Sequence, residues 1–226
     1  MQRFHDRREA GQLLARHLAP YKDRDDVIVL ALPRGGVPVG YEIARHLKAP
    51  LDVFLVRKLG VPWQPELAMG AIAGTGTEVL NGDVVTAYNI PLHVIHAVAE
   101  RERCELQRRL QNYRGARPLP DLCNRVVILV DDGLATGSTM RAAIKAVRQE
   151  RPREIVVAVP VAALDACREF QKEVDHVVCL HTPPAFAAVG AWYDDFSQTT
   201  DAEVRELLSD DTTRQPSDSA HAAGRY

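Results

Sequence analysis

The residues best suited to chemistry lie together in one run, Arg125-Val126-Val127-Ile128-Leu129-Val130-Asp131-Asp132-Gly133-Leu134-Ala135-Thr136-Gly137-Ser138-Thr139. Five apolar residues end abruptly in two adjacent carboxylates, and a small polar loop then runs into a helix-like stretch from Met140. Strand, loop and helix in that order place a ligand beyond the carboxyl end of a parallel strand. Thr136, Gly137, Ser138 and Thr139 would present backbone N–H groups at a helix N-terminus, a phosphate cradle aided by the helix dipole. Ionised Asp131 and Asp132 would repel a phosphate laid directly on them. They suit neutral donors, such as the two hydroxyls of a ribose, or a bound Mg²⁺. Acidic pair first and cradle next matches a ribose carrying a 5′-phosphate. A helix cap alone needs one Ser, Thr, Asp or Asn, so capping does not account for the whole run.

Two other segments could supply positive charge. Leu32-Pro33-Arg34-Gly35-Gly36-Val37-Pro38 follows an apolar run, and its glycines let backbone amides approach an anion closely. Arg34 adds a fixed charge for a second phosphate group. Arg57-Lys58-Leu59-Gly60-Val61-Pro62 follows another apolar run and places two cations at its end. Rival nucleotide motifs fail. A Walker A loop needs a lysine and one more residue than separates Gly133 from Gly137, and Val79 stands where a dinucleotide fingerprint begun at Gly74-Thr75-Gly76 needs its third glycine.

Residues 130–139 resemble the phosphoribosyl-pyrophosphate (PRPP) loop of type I phosphoribosyltransferases, and residues 4–208 resemble a branch of predicted bacterial phosphoribosyltransferases. The resemblance implies an α/β fold: a central parallel sheet flanked by helices, with a small hood over the acceptor base. It implies Mg²⁺-dependent transfer from PRPP to a small, purine-like heterocyclic base, with release of pyrophosphate, as in nucleotide salvage. The catalytic set is then Asp131, Asp132, Arg34 and Lys58, with Asp131 and Asp132 also supporting the metal, directly or indirectly. Gly133, Leu134, Ala135, Thr136, Gly137, Ser138 and Thr139 hold the 5′-phosphate. Arg34, Gly35, Gly36, Arg57 and Lys58 hold pyrophosphate, and a loop after residue 58 closes over the reacting centre. Glu66 in that loop is the candidate general base. The hood is expected from the N-terminal helix, residues 4–18, and from about 181–200, where Phe186, Val189 and Trp192 contact the base. Ala135 stands where 6-oxopurine transferases carry an aspartate that helps deprotonate the base, so the loop is closer to that of adenine enzymes. Two alternatives stay open: a PRPP-sensing regulator without transfer activity, and a phosphoribosyl hydrolase.

Elements must position these residues. Apolar runs at 27–32, 51–56, 67–73, 126–130, 155–161 and 177–180 mostly lack polar alternation, which suits strands buried on both faces of a parallel sheet. Helix-like stretches at 37–47, 140–148 and 165–173 have the length of crossovers. Residues 91–113 read as one long helix. Its apolar face is Val94, Ile95, Val98, Leu106, Leu110 and Tyr113; Glu100, Arg101, Glu102, Arg103, Glu105, Arg108 and Arg109 form a solvated face or, alternatively, an oligomer contact such as a homodimer's. The chain has 226 residues, 46% of them hydrophobic, enough for one domain over 1–208. Residues 209–226 have little to bury and are expected to form a disordered tail. The net charge of −2 gives no support to a nucleic-acid or membrane-surface role. No apolar run reaches about 18 residues, so no membrane span is expected. Four scattered cysteines without a Cys-x-x-Cys pair fit a reducing cytoplasm, with no disulfide framework or zinc site.

Overall fold

A computed structural model describes residues 2–210. In chain order the elements are α1 (Arg7–His17), β1 (Val27–Ala31), α2 (Gly36–Leu47), β2 (Leu51–Val53), β3 (Val56–Val61), β4 (Gln64–Ala73), β5 (Glu78–Leu80), α3 (Gly82–Ala87), α4 (Leu92–Arg114), β6 (Val126–Val130), α5 (Ser138–Gln149), β7 (Glu154–Val161), α6 (Leu164–Glu173), β8 (His176–His181) and α7 (Asp201–Ser209). Short 3-10 turns occupy Ala19–Tyr21 and Val189–Trp192.

Every residue of β1 and β6 is buried, because both faces of their sheet are covered. The sheet has five strands in the order β2-β1-β6-β7-β8, all paired in parallel. Side chains alternate across it with the period of two that a pleated strand imposes. Val27, Val29, Ala31, Val126, Ile128 and Val130 point into one core with α1, α2 and α7, while Ile28, Leu30, Val127 and Leu129 point into a second core with α5 and α6. Burying one such Val, Leu or Ile contributes about 1.5–3 kcal/mol, so the central strands anchor the molecule. The β1–β6 register pairs Val27 with Val126 and Ala31 with Val130. The two strands therefore end level, and the Arg34 and Asp131 loops leave the sheet side by side.

The α/β architecture and the helices at 4–18, 37–47, 91–113, 140–148 and 165–173 match expectation to within a few residues at their ends. Two strand readings need correction. The 51–56 run is not one strand: it is β2 up to Val53, and a new strand, β3, begins at Val56. The 67–73 run lies in β4 of a separate antiparallel sheet, β3-β4-β5, rather than in the parallel one. Arg57 and Lys58 thus sit inside a hairpin strand, not past a strand end, and the expected closing loop is this hairpin with Pro62 and Trp63 at its turn. The hairpin carries register shifts around Gly60, where an added Cβ would lie 2.6 Å from the Pro65 carbonyl. Only glycine permits that approach.

The antiparallel sheet packs on α4. Leu59, Val61, Met69 and Ile72 meet Ile95, Val98 and Ala99 in a third core. Glu102, expected on the solvated face of α4, is buried beneath the hairpin and accepts hydrogen bonds from Arg57. Farther along α4, Arg114 forms a buried two-pronged ion pair with Asp52 of β2. Burial raises the Asp52 carboxyl pKa, and the Arg114 charge opposes the shift. Of the expected tail, Ser209 ends α7 and Asp210 caps it, and 211–226 lie outside the described residues. Among the described residues no helix is long and apolar enough to cross a membrane.

Candidate active site

Asp131 and Asp132 follow β6 directly, and their surroundings explain why the loop after β1 is glycine-rich. An added Cβ at Gly35 would stand 2.0 Å from Asp132 Oδ2, and one at Gly36 would stand 2.6 Å from the Val130 carbonyl oxygen. Gly36 admits no side chain against that backbone oxygen, and a side chain at Gly35 would have to displace the Asp132 carboxylate, so the two loops pack closely. Leu32 N–H donates to the Val130 carbonyl at 2.8 Å and continues the β1–β6 ladder into the loops. The Pro33–Arg34 peptide is cis.

The two aspartates are held differently. Asp131 Oδ1 accepts the Asp132 N–H at 2.9 Å. Asp132 Oδ2 accepts Arg7 Nε at 2.9 Å, and the Asp132 carbonyl accepts the Tyr193 hydroxyl at 2.6 Å. Burial and the neighbouring Asp132 charge push the Asp131 carboxyl well above the usual range. Burial raises Asp132 too, opposed by Arg7. Burial likewise pushes the Tyr193 phenol up. Two partly buried carboxylates side by side form a site that favours cations or hydrogen-bond donors.

The loop beyond them is open. Gly137 caps α5 at φ 67°, in the left-handed region that favours glycine, and an added Cβ there would lie 2.5 Å from the Phe170 ring. Thr136, Ser138 and Thr139 are exposed at the helix N-terminus, and Ala135 is exposed beside them. Leu134 plays another part: its side chain is buried in the α5–α6 core, and its N–H donates to the Val161 carbonyl at 2.9 Å. At Gly133 an added Cβ would meet Val189 at 2.6 Å, so the 181–200 segment rests on the loop at a glycine.

The N-terminal segment and residues 181–200, where a hood is expected, pack together. Phe4 N–H donates to the Trp192 carbonyl, and the Asp194 N–H donates back to the Phe4 carbonyl, both at 2.9 Å. The Phe4 ring stacks on His181 at 4.9 Å between centroids. Phe186, Val189 and Trp192 pack partly buried around Phe4, Ala10, Val161 and Tyr193.

The expected cations are distributed as follows. Arg34 Nη1 lies 3.7 Å from Asp201 Oδ1 at the start of α7. Arg57 is engaged with Glu102 at 2.7 Å. Lys58 is exposed on β3, and Glu66 lies in β4. The structure therefore brings Gly35, Gly36, Asp131, Asp132, Gly133 and Val189 together, and it turns Arg57 toward α4. Sequence reading missed Arg7, Tyr193, Phe170 and Asp201. Asp6, which caps α1 by accepting the Glu9 N–H, signals where that helix starts. Nothing local signals that Arg7 reaches a carboxylate 125 residues away. Among the described residues no group of three or more His, Cys, Asp or Glu side chains could hold a metal, so any Mg²⁺ here would rest on the Asp131–Asp132 pair and on ligand phosphate oxygens, a donor set that Mg²⁺ commonly takes.

The profile of the phosphoribosyl transferase domain matches residues 5–194. The chain belongs to that family. The phosphoribosyl transferase family relatives include a Mycobacterium tuberculosis protein named "Putative phosphoribosyl transferase", 48% identical over 208 residues, which are 92% of this chain and 47% of that one. The chain spans about half the length of that relative. It is also similar to the crystal structure of TT1426 from Thermus thermophilus, with a TM-score of 0.83 and 46% identity over 92% of this chain and 98% of that one. The "Bifunctional protein PyrR" of Corynebacterium glutamicum is 32% identical over 156 residues, 68% of this chain and 62% of its own.

Proposed function

We propose that the protein moves the phosphoribosyl group of PRPP to a ring nitrogen of a purine-like heterocycle and releases pyrophosphate, working in the cytoplasm in nucleotide salvage. The observation that carries this reading is the acid pair, interlocked through Gly35 and Gly36 with one loop and followed by an open phosphate cradle in the other. The ribose lies over Asp131 and Asp132, the 5′-phosphate meets the N–H groups and hydroxyls of residues 136–139, and pyrophosphate lies along the Arg34-Gly35-Gly36 backbone. Transfer breaks the bond from C1 to the pyrophosphate oxygen, forms one from C1 to the base nitrogen, and releases the nitrogen's proton. Positive charge grows on the sugar ring as the bond breaks, and the carboxylates beneath it stabilise that charge. Negative charge grows on pyrophosphate, where the Gly35 amide and the Arg34 guanidinium favour it, the Gly36 and Val37 amides donating instead to the Leu32 and Arg34 carbonyls. Bound Mg²⁺ would supply further positive charge at the phosphate oxygens, and Asp131 and Asp132 are the residues that would hold it. The hood excludes water, against which a PRPP-using site must compete.

The test is a panel of heterocycles incubated with protein, PRPP and Mg²⁺, with products read by mass spectrometry. A nucleoside monophosphate formed from one base, lost in Asp131→Asn, supports the reading. Ribose 5-phosphate released without any base would replace it with hydrolysis. PRPP binding with neither product would replace it with a sensor.

A further inference from the structure

The two aspartates share a motif but not an environment. Asp132 Oδ2 is walled by the Gly35 backbone on one side and held by Arg7 Nε on another. Arg7 is itself fixed at three further points. Its Nη1 donates to the Ser197 carbonyl at 2.7 Å, and its guanidinium lies 3.9 Å from the Phe196 ring centroid and 6.0 Å from that of Tyr193. The Tyr193 hydroxyl completes the circuit by donating to the Asp132 carbonyl. Arg7 and Asp132 are largely withdrawn from water, at 11% and 15% side-chain exposure. Asp131 has no such tether: it accepts only the Asp132 N–H among the described residues.

We propose that Arg7 is a positioning residue that makes Asp132 the anchor of the hood and leaves Asp131 as the carboxylate that receives the ribose. A planar guanidinium suits this task, since it pairs with a carboxylate, donates to a carbonyl and stacks on a ring at once. The connected elements lie far apart in sequence: the first turn of α1, the end of β6 and the segment 193–197. Seating of the hood is thereby coupled to the state of the acid pair. The ribose part of this inference rests on the function proposed above; the anchoring part does not.

The experiment has two arms. The first reads hydrogen exchange at the Asp194 and Asp195 amides, which donate to the Phe4 and His5 carbonyls and so report hood seating without any ligand. Arg7→Ala should speed exchange by about tenfold and Asp132→Asn by less, and the double variant should be no faster than Arg7→Ala, as expected when Asp132 acts through Arg7. Arg7→Lys keeps the charge but not the fork, so it should fall between wild type and Arg7→Ala; it also serves if Arg7→Ala does not fold. The second arm measures ribose 5-phosphate affinity. Asp131→Asn should weaken it by about tenfold or more, and Asp132→Asn by less than about threefold. Unchanged exchange in the Arg7 variants overturns the anchor, and so does an Asp132→Asn loss equal to that of Asp131→Asn with wild-type exchange. If wild-type protein binds no ribose 5-phosphate, the sugar reading fails and the exchange arm alone decides the anchor.

Discussion

The loop after β6 and the β3–β4 hairpin were both expected to bind phosphate, and the molecule treats them in opposite ways. After β6 the polar groups are left open: Thr136, Ser138 and Thr139 are exposed, and Gly137 holds a backbone turn that a side chain would obstruct. In the hairpin the prominent cation is used internally, with Arg57 paired to the buried Glu102 of α4. A binding loop keeps its hydrogen-bonding groups for a ligand, whereas a packing element satisfies them within the protein. Residue type alone does not separate the two cases, since Arg57-Lys58 and Arg34 look equally available in the sequence.

Four measurements test that contrast, from the largest expected effect to the smallest. Asp131→Asn with Asp132→Asn should weaken PRPP binding by roughly a hundredfold, most of it from Asp131, because lost hydrogen bonds from its carboxylate to the ribose hydroxyls cost about 1.5–3 kcal/mol each. Calorimetry with Mg²⁺ reads this, and wild-type affinity in the double variant would remove the acid pair from the site. Second, Arg34→Ala should slow transfer by on the order of a hundredfold with little change in ribose 5-phosphate affinity, since charge on pyrophosphate grows only as the bond breaks. Arg57→Ala should instead lower stability by about 1–3 kcal/mol, by leaving Glu102 short of a partner, and change the rate little. Single-turnover rates and denaturant melts on both variants separate these outcomes; equal rate losses would return Arg57 to the active site.

Third, Gly137→Ala should cost more stability than Gly76→Ala. Both glycines have positive φ, but an added Cβ meets Phe170 at Gly137 and nothing within 4 Å at Gly76. The Gly76 change should cost about 1 kcal/mol of backbone preference and the Gly137 change clearly more, as melting temperatures would show. Gly137→Ala should also weaken ribose 5-phosphate more than pyrophosphate. The smallest effect is at Glu105, which is half-buried on α4 and accepts hydrogen bonds from Arg108 and Arg109. Those hydrogen bonds lower its pKa from 4.5 to about 2. A carboxyl with a depressed folded pKa stabilises the fold above its unfolded value and loses that contribution as pH falls toward the folded one. Glu105→Gln should therefore melt slightly below wild type at neutral pH, and the gap should close between pH 4.5 and 2. High salt should shrink it as well.

These contrasts also explain what the sequence made legible. The 126–130 strand, the acid pair and the loop leading into α5 are consecutive, and their backbone geometry follows from local rules, so this strand-loop-helix order could be read directly. Gly35 and Gly36 were read as allowing close approach to an anion; what approaches them here is Asp132 and the Val130 carbonyl. The 51–56 and 67–73 runs were misassigned because a short apolar run looks the same in a parallel strand and in a hairpin packed on a helix. The break at Phe54 carries no glycine or proline to mark it. Arg7 stayed hidden for a different reason: its role depends on a partner in another part of the chain, 125 residues away.

The level ends of β1 and β6 have a consequence for error tolerance. Both strands are apolar on both faces, so sliding one past the other by a residue would exchange one buried methyl-rich face for another. The cores could absorb much of that change, unlike a half-exposed sheet, where a slip turns its apolar side to water. The pair of glycines adds a further bar to the slip. Displaced by one strand residue, about 3.3 Å, Asp132 would lose the gap at Gly35, and the Val130 carbonyl would lose the one at Gly36. The contacts that join the two loops thus also tie the central strands to one alignment.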